Sequence, residues 1–258
     1  MRIVVYDRPV EYAKLSRHVG LARALSKLGY CSRSRAFALI HAGGVKLNGK
    51  VRLDPETPVN LDKDRVEVRS QTLAAPAKIY LMMNKPRGAV TTASDERGRQ
   101  TVYAYLGEDL PWLAPVGRLD KASEGLLLFT NDSEWAARIL APETHLDKTY
   151  HVQIGAVTDS ELLTALVDGV KTCHGSVPGV KSARLLRHGT RNTWLEVVLD
   201  EGKNRQIRRL LEHMGIGVLR LVRVAIGPLA LGRLVKGAAR PLTTEEQEAL
   251  DRALRRRH

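Results

Sequence analysis

The stretch PVGRLDKASEGLLLFTND, Pro115 to Asp132, places one carboxylate, Asp120, on a short polar loop that leads straight into a strongly apolar run. Gly117 and Gly125 bracket the loop and permit tight or close-approach backbone conformations. Leu126 to Phe129 are a continuous apolar run of the kind that lies wholly inside a core. Asn131, Asp132 or Ser133 then offers the cap of a helix predicted over Glu134 to Leu140. Arg118 and Asp120 are two residues apart, so in an extended loop both side chains leave on the same face. A cation beside a carboxylate favours the ionised form, which any base or nucleophile requires. Taken alone, the triplet Arg118-Leu119-Asp120 reads as a core strand with a solvated loop that carries an ordinary acid.

Composition narrows the partner. The 258 residues carry 41 Lys and Arg against 28 Asp and Glu, a formal charge of +13. A surface of that sign attracts polyanions, through long-range steering and counterion release. No apolar stretch approaches the roughly 18 residues of a membrane span, and Met1 to Asp7 is too short for a signal peptide's apolar region. Nucleic acid is therefore the expected partner and no membrane is. Cys31 and Cys173 are isolated and lack metal-ligand spacing, so a reduced, cytoplasmic protein is expected, with neither a disulfide framework nor a zinc site.

The charge bias has a local centre. From Gly20 to Arg52 there are seven basic residues, Arg23, Lys27, Arg33, Arg35, Lys46, Lys50 and Arg52, and not one acid. Leu21, Leu25 and Leu28 space as one face of a short helix stopping at Gly29. A second helix starts after Ser32 and carries Phe37, Leu39 and Ile40 toward Gly43 and Gly44. Its first turn holds Arg33 and Arg35 where a capping box wants Glu, leaving the positive end of the dipole open to phosphate. Val45 to Arg52 reads as a hairpin about Asn48-Gly49, and Val66 and Val68 mark another strand. Gln71 to Lys78 reads as a linker. Residues 1–18 are left as an unassigned arm, 19–70 as a small α+β domain, 71–78 as the linker and 79–258 as a second domain.

The second domain alternates apolar strands and helical patterns in no regular βαβ rhythm, which predicts α+β. Candidate strands are Ile79 to Met83, Leu126 to Phe129, Thr149 to Ile154 and Leu195 to Leu199. In Glu201 to Gly215, EGKNRQIRRLLEHMG, residues Ile207, Leu210, Leu211 and Met214 make a buried helical stripe. Arg205, Arg208, Arg209 and Glu212 lie on the wetter side. Val218 to Arg240 carries Arg220, Arg223, Arg233, Lys236 and Arg240 without an acid. Thr243 and Thr244 precede Glu246 and Gln247 as capping-box pairs.

The longer string, GRLD, two residues, then S-x-GLLLxTND, resembles the signature of the RsuA family of pseudouridine synthases, which modify ribosomal RNA. Ser123 stands where many members have Thr and keeps the hydroxyl. The resemblance makes Asp120 the catalytic residue, matches Tyr150 of LDKTYHV to the family's Tyr lying against the target base, and matches Arg208 of NRQIRR to the Arg that pairs with the catalytic Asp. It implies a mixed, largely antiparallel sheet in the catalytic domain. Lys203, Asn204 and Arg205, with Arg118, are expected to meet RNA. Leu21 to Arg69, with SR-x-x-A-x-x-LI followed by G-x-V-x-x-NGK, resembles the alpha-L RNA-binding domain of the "S-four" ribosomal-protein type. Arg23, Arg33, Arg35, Lys46 and Lys50 are its expected RNA contacts. The implied reaction isomerises a uridine taken out of its stack, in ribosomal RNA or an assembly intermediate, by a monomer with no cofactor and no metal. Whether Asp120 acts as nucleophile or base stays open. The rival reading is a non-catalytic ribosome-assembly protein that uses the same RNA-binding module.

Overall fold

The computed structural model describes residues 18–74, 76–157, 160–172 and 175–255. The arm expected over 1–18, Cys173 and His174 therefore lie outside the described residues, apart from His18. By its internal contacts the chain divides into two units. One takes the described residues up to Leu81 with Gly107–Pro115 and Phe129–Ala136; the other takes Met82–Leu106, Val116–Leu128 and everything described from Ala137 onward.

The first unit opens with strand β1, His18–Gly20, and helix α1, Leu21–Lys27, which buries Leu21, Ala22, Ala24 and Leu25. Helix α2, Arg33–His41, starts where the Ser32 hydroxyl accepts a hydrogen bond from the Arg35 amide at 3.2 Å. That bond satisfies one of the donors a helix start leaves unpaired. Ala36 and Ile40, four residues apart, form its buried stripe, while Phe37 stays exposed. The Asn48-Gly49 hairpin joins β2, Val45–Leu47, to β3, Lys50–Val51, with φ of 52° and 79° at the two turn residues. Both positive angles are those of the turn that matches strand twist. Strands β4, Pro58–Asn60, β5, Val66–Val68, and β6, Gln71–Thr72, complete the order β3-β2-β5-β6 beside a β1-β4 pair.

Strand β6 falls where the sequence suggests the start of a linker. Its turn is made by Arg69 and Ser70, both at positive φ, 50° and 66°, so the geometry of a tight hairpin is present without the Asn or Gly that normally announces it. The far end of that expected linker is tied down as well. The Asn131 side chain accepts from the Ile79 amide and donates to the Ala77 carbonyl, each at 2.9 Å. Asp132 is the cap of α3, Ser133–Leu140: its Oδ1 accepts from the amides of Glu134 and Trp135. Its Oδ2 takes the Tyr80 hydroxyl at 3.0 Å and the Lys78 ammonium at 2.7 Å. Burial alone would raise the Asp132 pKa, but these donors outweigh it and hold the carboxyl below the usual range.

The large sheet contains β7, Tyr80–Lys85, β8, Ala114–Val116, β9, Glu124–Thr130, and β10, Lys148–Ile154. After α4, Ser160–Asp168, come a small hairpin of β11, Val170–Thr172, and β12, Gly175–Val177, then β13, Ser182–His188, and β14, Thr193–Leu199. Helix α5, Gln206–His213, leads to β15, Val218–Ile226, β16, Leu229–Ala230, β17, Ala239–Pro241, and the final helix α6, Thr244–Arg255. The strand order is β13-β14-β10-β15-β9-β7-β17, with β16 on β15 and β8 on β9. Strands β10, β13, β14 and β16 pair antiparallel with their neighbours, and β9 runs parallel to β15. The sheet is mixed and mostly antiparallel, and the fold is α+β, as the sequence predicts.

Every residue of β9 is buried, which is why its centre, Leu126 to Phe129, reads as an unbroken apolar run. Gly125 has φ +103°, and a Cβ there would lie 2.2 Å from the Arg223 carbonyl oxygen of β15. Only glycine lets the two backbones approach so closely. Strands β13 and β15 are not among those the sequence pattern suggests. Nearly all of β13 is exposed, so it lacks the alternation that marks a half-buried strand, and the arginines of β15 mask its apolar residues. Among the described residues no helix is long and apolar enough to cross a membrane.

Candidate active site

Asp120 follows β8 on the loop Gly117-Arg118-Leu119, and the Asp120 carbonyl accepts from the Ser123 amide at 2.9 Å, closing a tight turn just before β9. Leu119 is buried, and its carbonyl accepts from the Thr91 hydroxyl at 2.8 Å. The Lys121 carbonyl takes the Gly88 amide at 2.8 Å. Two cations hold the next two carbonyls: the Arg208 guanidinium donates to Ala122 at 3.2 Å, and the Lys85 ammonium donates to Ser123 at 2.9 Å. Every carbonyl from Leu119 to Ser123 is thus engaged, and all but that of Asp120 are held from elsewhere in the chain. Such a turn fixes the direction of its side chain before any ligand arrives.

The carboxylate itself is 39% exposed and opens into a cavity of about 220 Å³. Tyr150, Leu199, Ile207 and Leu221 give this cavity an apolar wall, and Arg118, Lys203, Asn204 and Arg205 give it a polar rim. Tyr150 is only 8% exposed and sits in β10 opposite Val197 of β14 and Arg223 of β15. Its burial follows from the period of two along β10, where Tyr150, Val152 and Ile154 all point to the buried face. Helix α5 contributes Gln206 and Ile207 to the lining.

The family resemblance pairs Arg208 with Asp120; the structure gives that ion pair to Arg205, whose Nη1 lies 3.5 Å from Asp120 Oδ2. The reason is positional. Arg205 is the residue that enters α5, in the left-handed region at φ 50°, and its side chain is exposed along the rim. Arg208 lies one helical turn further in, half-buried, and spends its Nη2 on the Ala122 carbonyl, with Nε buried and, among the described residues, unpartnered. Burial lowers the Arg208 pKa, assisted by Arg205 and Arg87 and opposed by Asp120. Arg208 therefore feels the carboxylate electrostatically and touches its loop, while Arg205 makes the contact. Because both partners of the Arg205–Asp120 pair are well exposed, it contributes under about 1 kcal/mol.

The remaining expected RNA contacts divide between the units. Arg118, Lys203, Asn204 and Arg205 all line the cavity. Arg23, Arg33, Arg35, Lys46 and Lys50 are all exposed on the first unit.

Sequence matching agrees with this geometry. The profile described as RNA pseudouridylate synthase matches residues 79–213. The chain belongs to the RNA pseudouridylate synthase family. The synthase also matches the S4 domain over residues 19–66. It is 34% identical over 231 residues to the ribosomal large subunit pseudouridine synthase B of Bacillus subtilis (strain 168), covering 89% of this chain and 94% of that one. It is 38% identical over 227 residues to an uncharacterized RNA pseudouridine synthase of Rickettsia bellii (strain RML369-C), covering 86% and 96%. A crystal structure of a pseudouridylate synthase superposes with a TM-score of 0.61 at 29% identity, over 90% of this chain and 99% of that one.

Two groups in the synthase go unread in the sequence. Lys85 ends β7 fully buried, and burial pulls its pKa down to about 8 against the opposing pull of Asp120 and Glu124. A lysine preceding Pro86 carries no signal of its own; only the tertiary fold aims it at the turn after Asp120. Glu124, also buried, is bonded by Arg220 through Nε and Nη2, each at 3.1 Å, and by Lys236 at 2.6 Å. Burial raises its pKa, yet those cations win and hold it below the usual glutamate value. The readable hint is an acid embedded in an apolar strand, since a charge is buried only with a partner.

Proposed function

We propose that this enzyme isomerises a specific uridine of ribosomal RNA to pseudouridine, with Asp120 as its catalytic group and without a cofactor. The observation that carries the reading is a carboxylate on a pinned turn at the mouth of a cavity backed by Tyr150, in a chain of this family. The similarity to one ribosomal large subunit pseudouridine synthase favours ribosomal RNA over other substrates. In the reaction the bond between uracil N1 and ribose C1′ breaks, the freed base turns, and C5 joins C1′. The C5 proton leaves and N1 gains one, so the product has the composition of its parent. Asp120 serves either by attacking the sugar or by removing a ribose proton.

A base in a stack cannot reach such a cavity, so the uridine is everted at a cost of a few kcal/mol. Tyr150 supplies a stacking face that offsets part of that cost. Arg118, Lys203, Asn204 and Arg205 at the rim, and Arg23, Arg33, Arg35, Lys46 and Lys50 on the first unit, hold the backbone. Arg208 and Lys85 act on the turn that carries the carboxylate. The test is to incubate the protein with undermodified large- and small-subunit ribosomal RNA and map pseudouridine chemically. One new site, lost on Asp120→Asn, is expected. No new site in either RNA, or a site that persists in the variant, overturns the assignment.

A further inference from the structure

Asp120 faces a second cavity. Arg118, Leu119 and Asp120 line both the cavity that contains Tyr150 and a larger one of about 470 Å³, roughly twice its volume. The three residues are common to the two linings, so the Asp120 loop lies between the cavities. The larger cavity is walled on the other side by the segment Thr91 to Arg99.

That segment is built in advance of any ligand. Asp95 accepts from the amides of Arg97 and Arg99 and from the Arg99 guanidinium, while the hydroxyls of Thr91 and Thr92 are bonded to the carbonyls of Leu119 and Ser94. The Arg99 guanidinium, ahead of the two amides, holds the Asp95 carboxyl down to about 2. Arg99 and Asp95 thus neutralise one another. Arg97, Arg118 and Lys121 remain exposed around the cavity, and among the described residues no carboxylate lies within ion-pair distance of any of them. Glu96 is also exposed and, among the described residues, unpaired, so the cavity suits one phosphate rather than a run of them.

A uridine whose sugar–base junction lies at Asp120 has its own backbone beside the residues that both cavities share, and the larger cavity is the polar, cationic space next to it. From this we infer that the larger cavity binds the nucleotide adjacent to the isomerised uridine, with its phosphate held by Arg97 and Lys121. Arg118, common to both cavities, bridges the two nucleotides. The inference rests on the pseudouridine synthase reading, and it gives the enzyme a second reading position beside the target base.

The test separates the two. Affinity of the full-length Arg97→Gln/Lys121→Gln variant for unmodified ribosomal RNA transcript is measured against salt, with Arg252→Gln, a cation of α6 paired with Glu248, as control. Removal of the two cations that together neutralise one phosphate flattens the log–log salt slope by about 0.7 to 0.9. A slope that matches the control overturns the proposal, whether or not the RNA is turned over. Where mapping has identified the uridine, a stem-loop bearing it is made with a methylphosphonate on its 5′ or its 3′ side. One of the two weakens wild-type binding about tenfold and has no further effect in the double variant. Additive losses at both positions overturn the assignment. Absence of turnover with the expected slope change would instead remove the isomerase reading and leave the phosphate site standing.

Discussion

Asp120 is an acid among cations, and the role proposed for it is separable from binding. Asp120→Asn preserves shape but removes the charge and replaces one acceptor oxygen by a donor NH2, so turnover should fall by about 10³-fold or more, within the range usual for loss of an essential acid–base or nucleophilic group. RNA affinity should hold or rise, because a negative charge near phosphate is removed; single-turnover kinetics and filter binding on the same preparation check both. Tyr150 is a different kind of residue. Tyr150→Phe keeps the ring and should cost little, whereas Tyr150→Leu removes the stacking face and should lower kcat/KM about 5- to 150-fold, from about 1 to 3 kcal/mol of stacking.

Lys85 makes a pH-dependent prediction. Its folded pKa of about 8 lies below the usual lysine value of about 10.4. Between those values the unfolded chain binds the proton that the folded chain has released, so the contribution of Lys85 to stability rises with pH across that window. Below about 8 it is charged in both states and bears its full desolvation penalty. Thermal melts at pH 7 and pH 9.5 should therefore show wild type gaining on Lys85→Met as the pH increases, and a constant difference would contradict the shift.

At the scale of elements, the pairing of β9 with β15 is the most demanding approach around the site. Gly125→Ala combines a φ of +103° with a Cβ driven into the Arg223 carbonyl. Strain of this kind costs about 1 to 3 kcal/mol before the clash is counted, so a destabilisation of about 3 kcal/mol or more is expected. That corresponds to a fall in Tm of about 6 to 12 °C for a chain of this size, read by calorimetry. Helix α6 shows a feature of the opposite kind. The Thr243 hydroxyl accepts from the Glu246 amide at 3.2 Å, and Glu246 accepts from the Thr243 amide at 2.9 Å. This is the reciprocal capping arrangement that the spacing foretells.

For the molecule as a whole, binding should be distributed over many cations. Exchange of Arg23, Arg33, Arg35, Lys46 and Lys50 for Gln together should weaken affinity for ribosomal RNA and flatten its salt dependence, by about 0.7 or more for each phosphate that is no longer neutralised. All five are exposed and outside the core of Leu21, Leu25, Ile40 and Val45, so folding, followed by circular dichroism, should be retained. An unchanged slope would show that this surface does not meet the RNA backbone.

The sequence by itself determined whatever depends on neighbours in the chain. Examples are the buried run of β9, the Asn48-Gly49 hairpin, the apolar stripe of α5 through Ile207, Leu210 and Leu211, and the presence of Asp120 on a loop before β9. Periodicity, turn chemistry and motif spacing are local properties, and they survive into the fold. The tertiary structure alone decided which groups meet across long separations. It set Arg205 rather than Arg208 against Asp120, drove Lys85 under the turn, matched Glu124 with Arg220 and Lys236, and placed one carboxylate between two cavities. Those pairings depend on strand register and on which residue occupies a helix's first turn. A shift of one residue sends a strand side chain to the other face and turns a helical one by a large fraction of its circumference, so no linear pattern could have specified them.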